Sequence, residues 1–293
     1  MEDILTALAS RLKQKDNSAN KGTNGTLTVA AGSELYRGAA VLASSAALRC
    51  GVGIVRLVSV EKVISSAAAR LPECVFLPTE SENGAMSYRD FARKMPAFSK
   101  SRAVLAGCGM TDCTDTGNII AELIKYGGYQ LIIDADGLNS IKNRPELLKS
   151  AALPPVITPH IGEMARLTGA STDAIKSDRE KTAAEFSRKY NCITVLKDCK
   201  TVISSPEGKL FVCDRPNAGL AKGGSGDVLS GIISSFAAQG YDAFDAAVCG
   251  TALHSLAAES AREKLTEYSM LPSDIVAEIP GVFARIGKTR NYR

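Results

Sequence analysis

Short β-rich runs alternate with helical patterns along most of this chain, and no other feature of the sequence restricts the fold as strongly. Helical patterns occupy 36–51, 116–128 and 177–191, and from residue 226 onward the chain reads as helices alone. This alternation predicts an α/β fold with a mostly parallel central sheet and helices on both faces. The candidate strands lie at 27–32, 53–60, 74–78, 103–109, 130–137, 155–159, 192–198, 201–205 and 209–213.

The beginning of the chain differs in character from the rest. Residues 1–19, MEDILTALASRLKQKDNSA, read as an amphipathic helix followed by a polar tether. No linker-like change of composition, low-complexity tract or internal repeat divides the remainder. We therefore predict an N-terminal helix and tether over 1–19 and a single catalytic domain over 20–293.

Composition argues against several classes of protein. The net charge is +4, only 5% of residues are aromatic and no dense Lys/Arg block occurs, so a nucleic-acid partner is not expected. No apolar run is long enough to cross a bilayer, and the acidic start does not resemble a signal peptide. The 8 cysteines form no C-x-x-C pair and only 2 histidines are present, which argues against a zinc site. We expect reduced thiols, no membrane association and a cytoplasmic location.

The stretch NAGLAKGGSGDVLSG, residues 217–231, concentrates glycines directly before a helical pattern. The first backbone N–H groups of a helix have no partner within the helix, and the helix dipole adds partial positive charge there. Glycines let the backbone approach a ligand closely, so this stretch is typical of an anion site. A plain tight turn with Asp227 as a helix cap is the alternative.

The same stretch is compatible with phosphoryl transfer. The N–H groups of Gly224, Ser225 and Gly226 would form an anion hole for the transferring phosphate. Asp227 would accept the proton of an attacking hydroxyl. Two better-known phosphate motifs, the Walker A loop and the G-x-G-x-x-G fingerprint, are absent from the sequence, so the nucleotide site is of another kind.

Several separated motifs carry a resemblance to a known family. They are N-x-G-x-x-x-G-G-S-G-D-V-L, AGCGM (106–110), DADGLN (134–139), TPHIGEMARLTG (158–169) and VLKDCKTVI (195–203), together with residues 20–57. The chain resembles the ADP- or ATP-dependent NAD(P)H-hydrate dehydratases of the ribokinase-like superfamily over roughly residues 20–280. The resemblance implies the three-layer ribokinase-like fold.

The resemblance also implies a hydro-lyase that repairs damaged cofactors. In that family, the ring hydroxyl of hydrated NADH or NADPH (the S form of NAD(P)HX) is phosphorylated, and phosphate elimination then restores NAD(P)H. Asp227 would be the base and would also contact the substrate, together with Ala40, Gly109 and His160. The nucleotide would be bound by Lys197, Asp198, Cys199, Lys200, Thr201 and Gly226.

The chain departs from the family pattern in places. Asn20 stands where His is common, and Lys222 where Thr is common. Cys108 replaces the Pro of the usual GPGLG strand end and Thr111 replaces its final Gly, so the motif around Gly109 matches the family pattern only in part. None of these departures touches Asp227.

Cofactors and partners follow from the resemblance alone. It implies ADP or ATP as phosphoryl donor, without a preference between them, and Mg²⁺ with unidentified ligands. It also implies a homo-oligomer, commonly a tetramer, and a separate NAD(P)HX epimerase. Two alternatives stay open. One is a ribokinase-like kinase of a small alcohol or vitamin, such as a thiazole or pyrimidine alcohol; the other is a non-catalytic nucleotide sensor.

Other polar residues have ordinary structural interpretations. His160 follows Pro159 and has two interpretations. It could begin a helix and form a hydrogen bond with the backbone, or it could contact the substrate. Asp134 and Asp136 follow a buried strand, where one could cap a turn or approach Mg²⁺ through water. We leave both aspartates outside the catalytic core. His254 lies on the apolar face of a helical pattern, which favours packing.

Overall fold

The computed structural model describes residues 3–291, and a nine-stranded sheet runs through its centre. Residues 1–2 of the predicted N-terminal segment and residues 292–293 of the predicted domain lie outside the described residues. The strands are Thr26–Ala30 (β1), Ile54–Val60 (β2), Val75–Thr79 (β3), Ser81–Glu82 (β4), Ala85–Met86 (β5), Ala103–Ala106 (β6), Gln130–Ile133 (β7), Val156–Ile157 (β8), Ile193–Leu196 (β9), Lys200–Ser204 (β10) and Leu210–Asp214 (β11).

The strands follow the order β11-β10-β9-β8-β7-β6-β1-β2-β3 across the sheet. All neighbours are parallel except β10, which is antiparallel to both β9 and β11. Each strand of this sheet coincides with one of the predicted runs, so the mostly parallel sheet is confirmed. The small β4–β5 hairpin was not predicted, because two-residue strands leave no periodic pattern in a sequence.

Helices connect the strands and complete the C-terminal part of the chain. They are Ile4–Arg11 (α1), Arg37–Arg49 (α2), Glu61–Ala68 (α3), Tyr88–Lys94 (α4), Thr114–Tyr126 (α5), Asp136–Ser140 (α6), Ile161–Thr168 (α7), Thr172–Ser177 (α8), Arg179–Tyr190 (α9), Ser225–Ala238 (α10), Ala243–Ser269 (α11) and Pro272–Asn291 (α12). Among the residues that the structure describes, no helix combines the length and apolar character needed to span a membrane.

The sheet is the middle layer of three. Helix α10 packs against α2 and α11 and against β1, β6 and β7, whereas α9 packs against β9 and β10. Every residue of β1, β6 and β9 is buried, as expected for parallel strands covered on both faces. The predicted three-layer α/β fold, with a mostly parallel central sheet and helices on both faces, is confirmed.

The N-terminal helix packs on the main body of the protein. Ile4, Ala7 and Leu8 of α1 are buried, and α1 lies against α11. The guanidinium Nε of Arg11 lies 3.0 Å from a carboxylate oxygen of Asp245 on α11. The helix therefore joins the core of the domain that follows it.

The parallel strands end side by side at one edge of the sheet. Strand β7 is followed directly by Asp134, β9 by Lys197, and β8 by a turn that leads to His160. A parallel bridge pairs His160 with Lys197 beyond the ends of their strands. In open α/β sheets this edge is where ligands bind, and it gathers several of the residues singled out from the sequence.

Candidate functional site

The start of α10 presents bare backbone to the carboxyl edge of the sheet. Gly224 precedes the helix with φ +102°, a backbone angle that residues with a side chain rarely adopt. A Cβ at this position would lie 2.6 Å from Cδ1 of Leu42. Glycine is therefore required at this position. Ser225, Gly226 and Asp227 form the first turn, so the predicted anion hole and the predicted base share one helix terminus.

Lys197 reaches this helix terminus from the end of β9. A Cβ placed on Gly226 would lie 3.2 Å from Nζ of Lys197, which shows how closely the ammonium approaches the first turn of α10. The same Nζ lies 2.8 Å from Oδ1 of Asp134, and the hydroxyl of Ser230 donates to Oδ2 of Asp134 at 2.6 Å. Asp134, left outside the predicted core, is thus at the centre of the site.

The Asp134–Lys197 ion pair keeps both groups charged. Burial alone would raise the pKa of Asp134, which is 1% exposed, but the charge of Lys197 holds that pKa below its usual range. Burial alone would lower the pKa of Lys197, but Asp134 and Glu163 hold it above its usual range. A cation is therefore fixed beside the predicted anion hole.

The pKa of Asp227 is shifted upward, in the opposite direction to that of Asp134. Burial raises the pKa of its carboxyl to about 6, and the charge of Asp134 adds to the increase, while a hydrogen bond from Cys108 and the charge of Lys197 oppose it. A carboxylate with a pKa close to the working pH suits a general base, because it is ionised yet basic enough to take a proton. The sequence predicted this residue as the base through the GGSGD motif, and that role stays a prediction.

Three potential metal ligands meet at the same point. The ligand atoms of Cys108, Asp134 and Asp227 lie within 4.8 Å of one another. Mg²⁺ prefers carboxylate oxygens, so the two aspartates fit such an ion. Burial raises the pKa of the Cys108 thiol well above its usual value, so the thiol keeps its proton and does not suit Mg²⁺.

A cavity of about 810 Å³ opens beside the start of α10. It is bounded by the β9–β10 turn, by the loop that precedes α10 and by α11. Of the residues predicted to bind the nucleotide or the phosphate, it is lined by Lys197, Asp198, Cys199, Thr201, Gly224, Ser225 and Gly226. Two separate predictions, drawn from two different motifs, therefore meet in one cavity.

Two of the charged side chains near the β9–β10 turn are engaged in ion pairs. Lys200 does not line the cavity; its ammonium lies 3.2 Å from a carboxylate oxygen of Glu180 on α9. The carboxylate of Asp198 accepts a hydrogen bond of 2.9 Å from Nε of Arg179. The side chain of Lys200 therefore contacts α9 and not the cavity.

The predicted substrate residues fall into two groups. His160 lines the cavity, whereas Ala40, Gly109 and Asp227 do not. Ala40 is fully buried in α2. Gly109 has φ +62°, and a Cβ there would lie 2.7 Å from Cβ of Tyr36, directly before α2. Their contact with a substrate stays a prediction.

His160 also has the structural role that was considered for it. Its Nδ1 accepts the backbone N–H groups of Gly162 and Glu163 at 3.0 and 3.3 Å, and Glu163 accepts the N–H of His160 in return. This reciprocal capping box fixes the start of α7. The imidazole is still 53% exposed, so it caps the helix and faces the cavity at once.

Glu163 is a buried acid that sequence reasoning passed over. Its side chain is 5% exposed, and burial raises its pKa to about 7, with Lys197 opposing the shift. The H-x-x-E spacing was available as a capping-box signal. Its closeness to Lys197, more than thirty positions later in the chain, was not.

Lys222 anchors the loop that precedes α10. Its ammonium donates to the carbonyl oxygens of Tyr268 and Met270 at 2.7 and 2.6 Å, near the end of α11. The sequence suggested a cation beside the phosphate loop. In the structure, these two hydrogen bonds tie the loop to the C-terminal helices.

A model of the NAD(P)H-hydrate dehydratase family matches residues 27–281. The chain belongs to this family. It is 32% identical over 286 residues to a bifunctional NAD(P)H-hydrate repair enzyme of Moorella thermoacetica, covering 97% of this chain and 54% of the relative. The chain spans about half the length of the bifunctional relatives that it matches.

Two further members of the family match along nearly their whole length. An ADP-dependent (S)-NAD(P)H-hydrate dehydratase of Xanthomonas campestris is 30% identical, with 97% of each chain covered. A crystal structure of the ADP/ATP-dependent NAD(P)H-hydrate dehydratase of Bacillus subtilis, co-crystallized with ATP/Mg²⁺, superimposes with a TM-score of 0.83 at 26% identity, again with 97% of each chain covered.

Proposed function

We propose that this chain dehydrates hydrated NADH or NADPH, the S form of NAD(P)HX, with ADP or ATP as phosphoryl donor. One observation supports this above the others. Asp227, with a pKa of about 6, lies in the first turn of a helix whose glycine-lined start shares a cavity with Lys197. Membership of the NAD(P)H-hydrate dehydratase family supports the hydrate of a reduced nicotinamide cofactor as the substrate.

The proposed chemistry has two stages. Ionised Asp227 takes the proton of the ring hydroxyl while the hydroxyl oxygen attacks the terminal phosphorus of the nucleotide. The phosphoanhydride bond breaks, and AMP leaves from ADP or ADP leaves from ATP. The ring nitrogen lone pair then expels the phosphate as the C–O bond breaks, which leaves an iminium ion. The neighbouring ring carbon gives a proton to water, and the dihydropyridine of NAD(P)H is restored. Phosphorylation is needed because hydroxide leaves poorly whereas phosphate leaves readily.

The remaining residues supply charge and position. The N–H groups of Gly224, Ser225 and Gly226 and the ammonium of Lys197 would face the transferring phosphate and stabilise its charge. Mg²⁺ bound with the nucleotide would add positive charge at the phosphates. We leave Asp227 out of the ligands of that ion, because metal ligation would make its carboxylate a weaker base. In this arrangement Asp134 keeps Lys197 charged and in place.

The rate is expected to fall in acid. Asp227 acts as a base only when ionised, so kcat/KM for the hydrate should decline below about pH 6, by about tenfold per pH unit once the carboxyl is largely protonated. A pH profile of kcat/KM measures this limb. ADP binding over the same range is the control, since it separates loss of the base from loss of the nucleotide. A rate that stays constant from pH 7 to pH 5 would contradict the assignment.

A spectrophotometric assay tests the function directly. NADHX plus ADP or ATP and Mg²⁺ should regain the absorbance of NADH only when the protein is present, and parallel reactions give the donor preference. If the absorbance stays low while a thiazole or pyrimidine alcohol is phosphorylated, the protein is a small-alcohol kinase. If it binds ADP and turns over neither substrate, the nucleotide-sensor alternative holds.

We further propose a homo-oligomer, commonly a tetramer in this family, a cytoplasmic location and a functional partnership with an NAD(P)HX epimerase. Family resemblance supports the oligomer and the epimerase partnership, and the cysteine pattern supports the location. Light scattering of the purified protein measures the oligomeric state. Adding an epimerase to the assay with mixed epimers of NADHX should raise the final yield of NADH if the chain acts on the S form alone.

A further inference from the structure

Three side chains that line the cavity carry polar atoms without a hydrogen-bond partner in the protein. They are the hydroxyls of Ser225 and Thr251 and Nε2 of His254, in residues that are 7%, 4% and 7% exposed. Among the side chains of residues 3–287, the other buried atoms of this kind are on Ser44 and Thr79, outside the cavity. Unpaired buried polar groups are costly, so their concentration in one cavity indicates a ligand.

The three residues form one group, which we call the α10–α11 polar cluster. Thr251 and His254 are three positions apart on α11 and therefore lie on the same face of that helix. Ser225 is the first residue of α10, and its backbone interacts with the imidazole of His254. The cluster is thus continuous with the predicted anion hole.

The cluster carries no net charge. Burial lowers the pKa of His254 to about 4, so the imidazole is neutral near pH 7, with one nitrogen that donates and one that accepts. The hydroxyls of Ser225 and Thr251 also donate and accept. Lys197 and the start of α10 supply the positive potential in the same cavity. One end of the cavity therefore suits phosphate, and the cluster suits a neutral polar group.

We propose that the α10–α11 polar cluster binds the nucleoside part of the adenine nucleotide. A nucleotide carries a neutral sugar and base directly next to its phosphates, and both offer hydrogen-bond donors and acceptors. The inference rests on the proposed function in taking ADP or ATP as the ligand. It adds Thr251 and His254 as determinants of nucleotide affinity, on a helix that the sequence assigned to packing.

The test compares two isosteric substitutions of buried threonines. Thr251→Val should raise the Kd of ADP by about two- to tenfold, because one hydrogen bond to the ligand is lost. It should leave the Kd of inorganic pyrophosphate unchanged. The Tm of the free protein should stay the same or rise, because the lost hydroxyl has no partner in the fold. Thr79→Val, on β3, is the matched control and should alter neither Kd.

A second pair of variants probes the imidazole. His254→Gln keeps a side-chain amide near the position of Nε2 and should retain more ADP affinity than His254→Leu. Titration of the wild type and of Thr251→Val with 2′-deoxy-ADP shows whether Thr251 contacts the 2′-hydroxyl or another part of the nucleoside. Loss of affinity for ADP but not for 2′-deoxy-ADP assigns Thr251 to the 2′-hydroxyl, and equal loss assigns it to the rest of the nucleoside.

Two results would overturn the inference: an unchanged Kd of ADP in Thr251→Val, or an equal loss of affinity for pyrophosphate. The second result would place the cluster at the phosphates. Failure of the proposed function looks different. A wild-type protein that binds ADP through Thr251 but leaves NADHX unrepaired would contradict the dehydratase activity and leave the nucleoside contact intact.

Discussion

Asp227→Asn should lower kcat by at least about a hundredfold while the Kd of ADP changes little. The amide has nearly the shape of the carboxylate, so the first turn of α10 and its N–H groups should stay in place. What is lost is the group that takes the proton of the attacking hydroxyl. Steady-state kinetics on NADHX gives kcat, and calorimetric titration gives the Kd of ADP.

Asp136→Asn is the matched control for this variant. Asp136 follows the same strand as Asp134, and its carboxylate accepts the backbone N–H of Thr111 at 2.8 Å. The site assigns it no proton transfer, so its substitution should cost less than about tenfold in kcat. Turnover by Asp227→Asn close to that of the wild type would remove Asp227 from the role of base. A large rise in the Kd of ADP would mean that the substitution disturbs the anion hole itself.

Strand pattern and glycine spacing carried most of the information in the sequence. Strands covered on both faces are almost wholly apolar, so β1, β6 and β9 stand out as short runs, and their polar endings mark one edge of the sheet. The GGSGD stretch was compatible with an anion site or with a plain helix cap, and the resemblance to a known family favoured the anion site. These are local signals, and local signals survive in a single sequence.

Residues whose importance depends on distant partners could not be found in this way. Asp134 looked like an ordinary strand end, because its partner Lys197 is 63 positions away and its other partner, Ser230, is 96 positions away. His254 looked like a packing residue because helical periodicity reports burial. Periodicity does not report that Nε2 lies unpartnered in a cavity. The assignments of Ala40 and Gly109 still rest on resemblance alone.

Lys197→Met should destabilise the fold by about 3–5 kcal/mol at pH 7, because it leaves the carboxylate of Asp134 buried without its cation. Methionine retains most of the aliphatic packing, so the loss reports the charge. Denaturant unfolding at constant buffer composition measures the free energy of unfolding. The variant should also bind ADP more weakly, since the cation beside Gly226 is gone.

The double variant Lys197→Met/Asp134→Asn is the decisive comparison, since it removes the unpaired charge together with the lysine. It should recover most of the lost stability at pH 7.

The pH dependence separates the variants further. In the wild type, Lys197 lowers the pKa of Asp134 in the folded protein. The ion pair therefore stabilises the fold at any pH above the pKa of an unfolded aspartate, and this stabilisation is lost as pH falls through the lowered pKa of the folded protein. In Lys197→Met alone, burial should raise the pKa of Asp134. The single variant should therefore approach the wild type in stability as pH falls from 7 to 5, while the double variant keeps a nearly constant difference. A single variant as stable as the wild type at pH 7, or a double variant no more stable than the single one, would show that the charge of Asp134 does not govern this site.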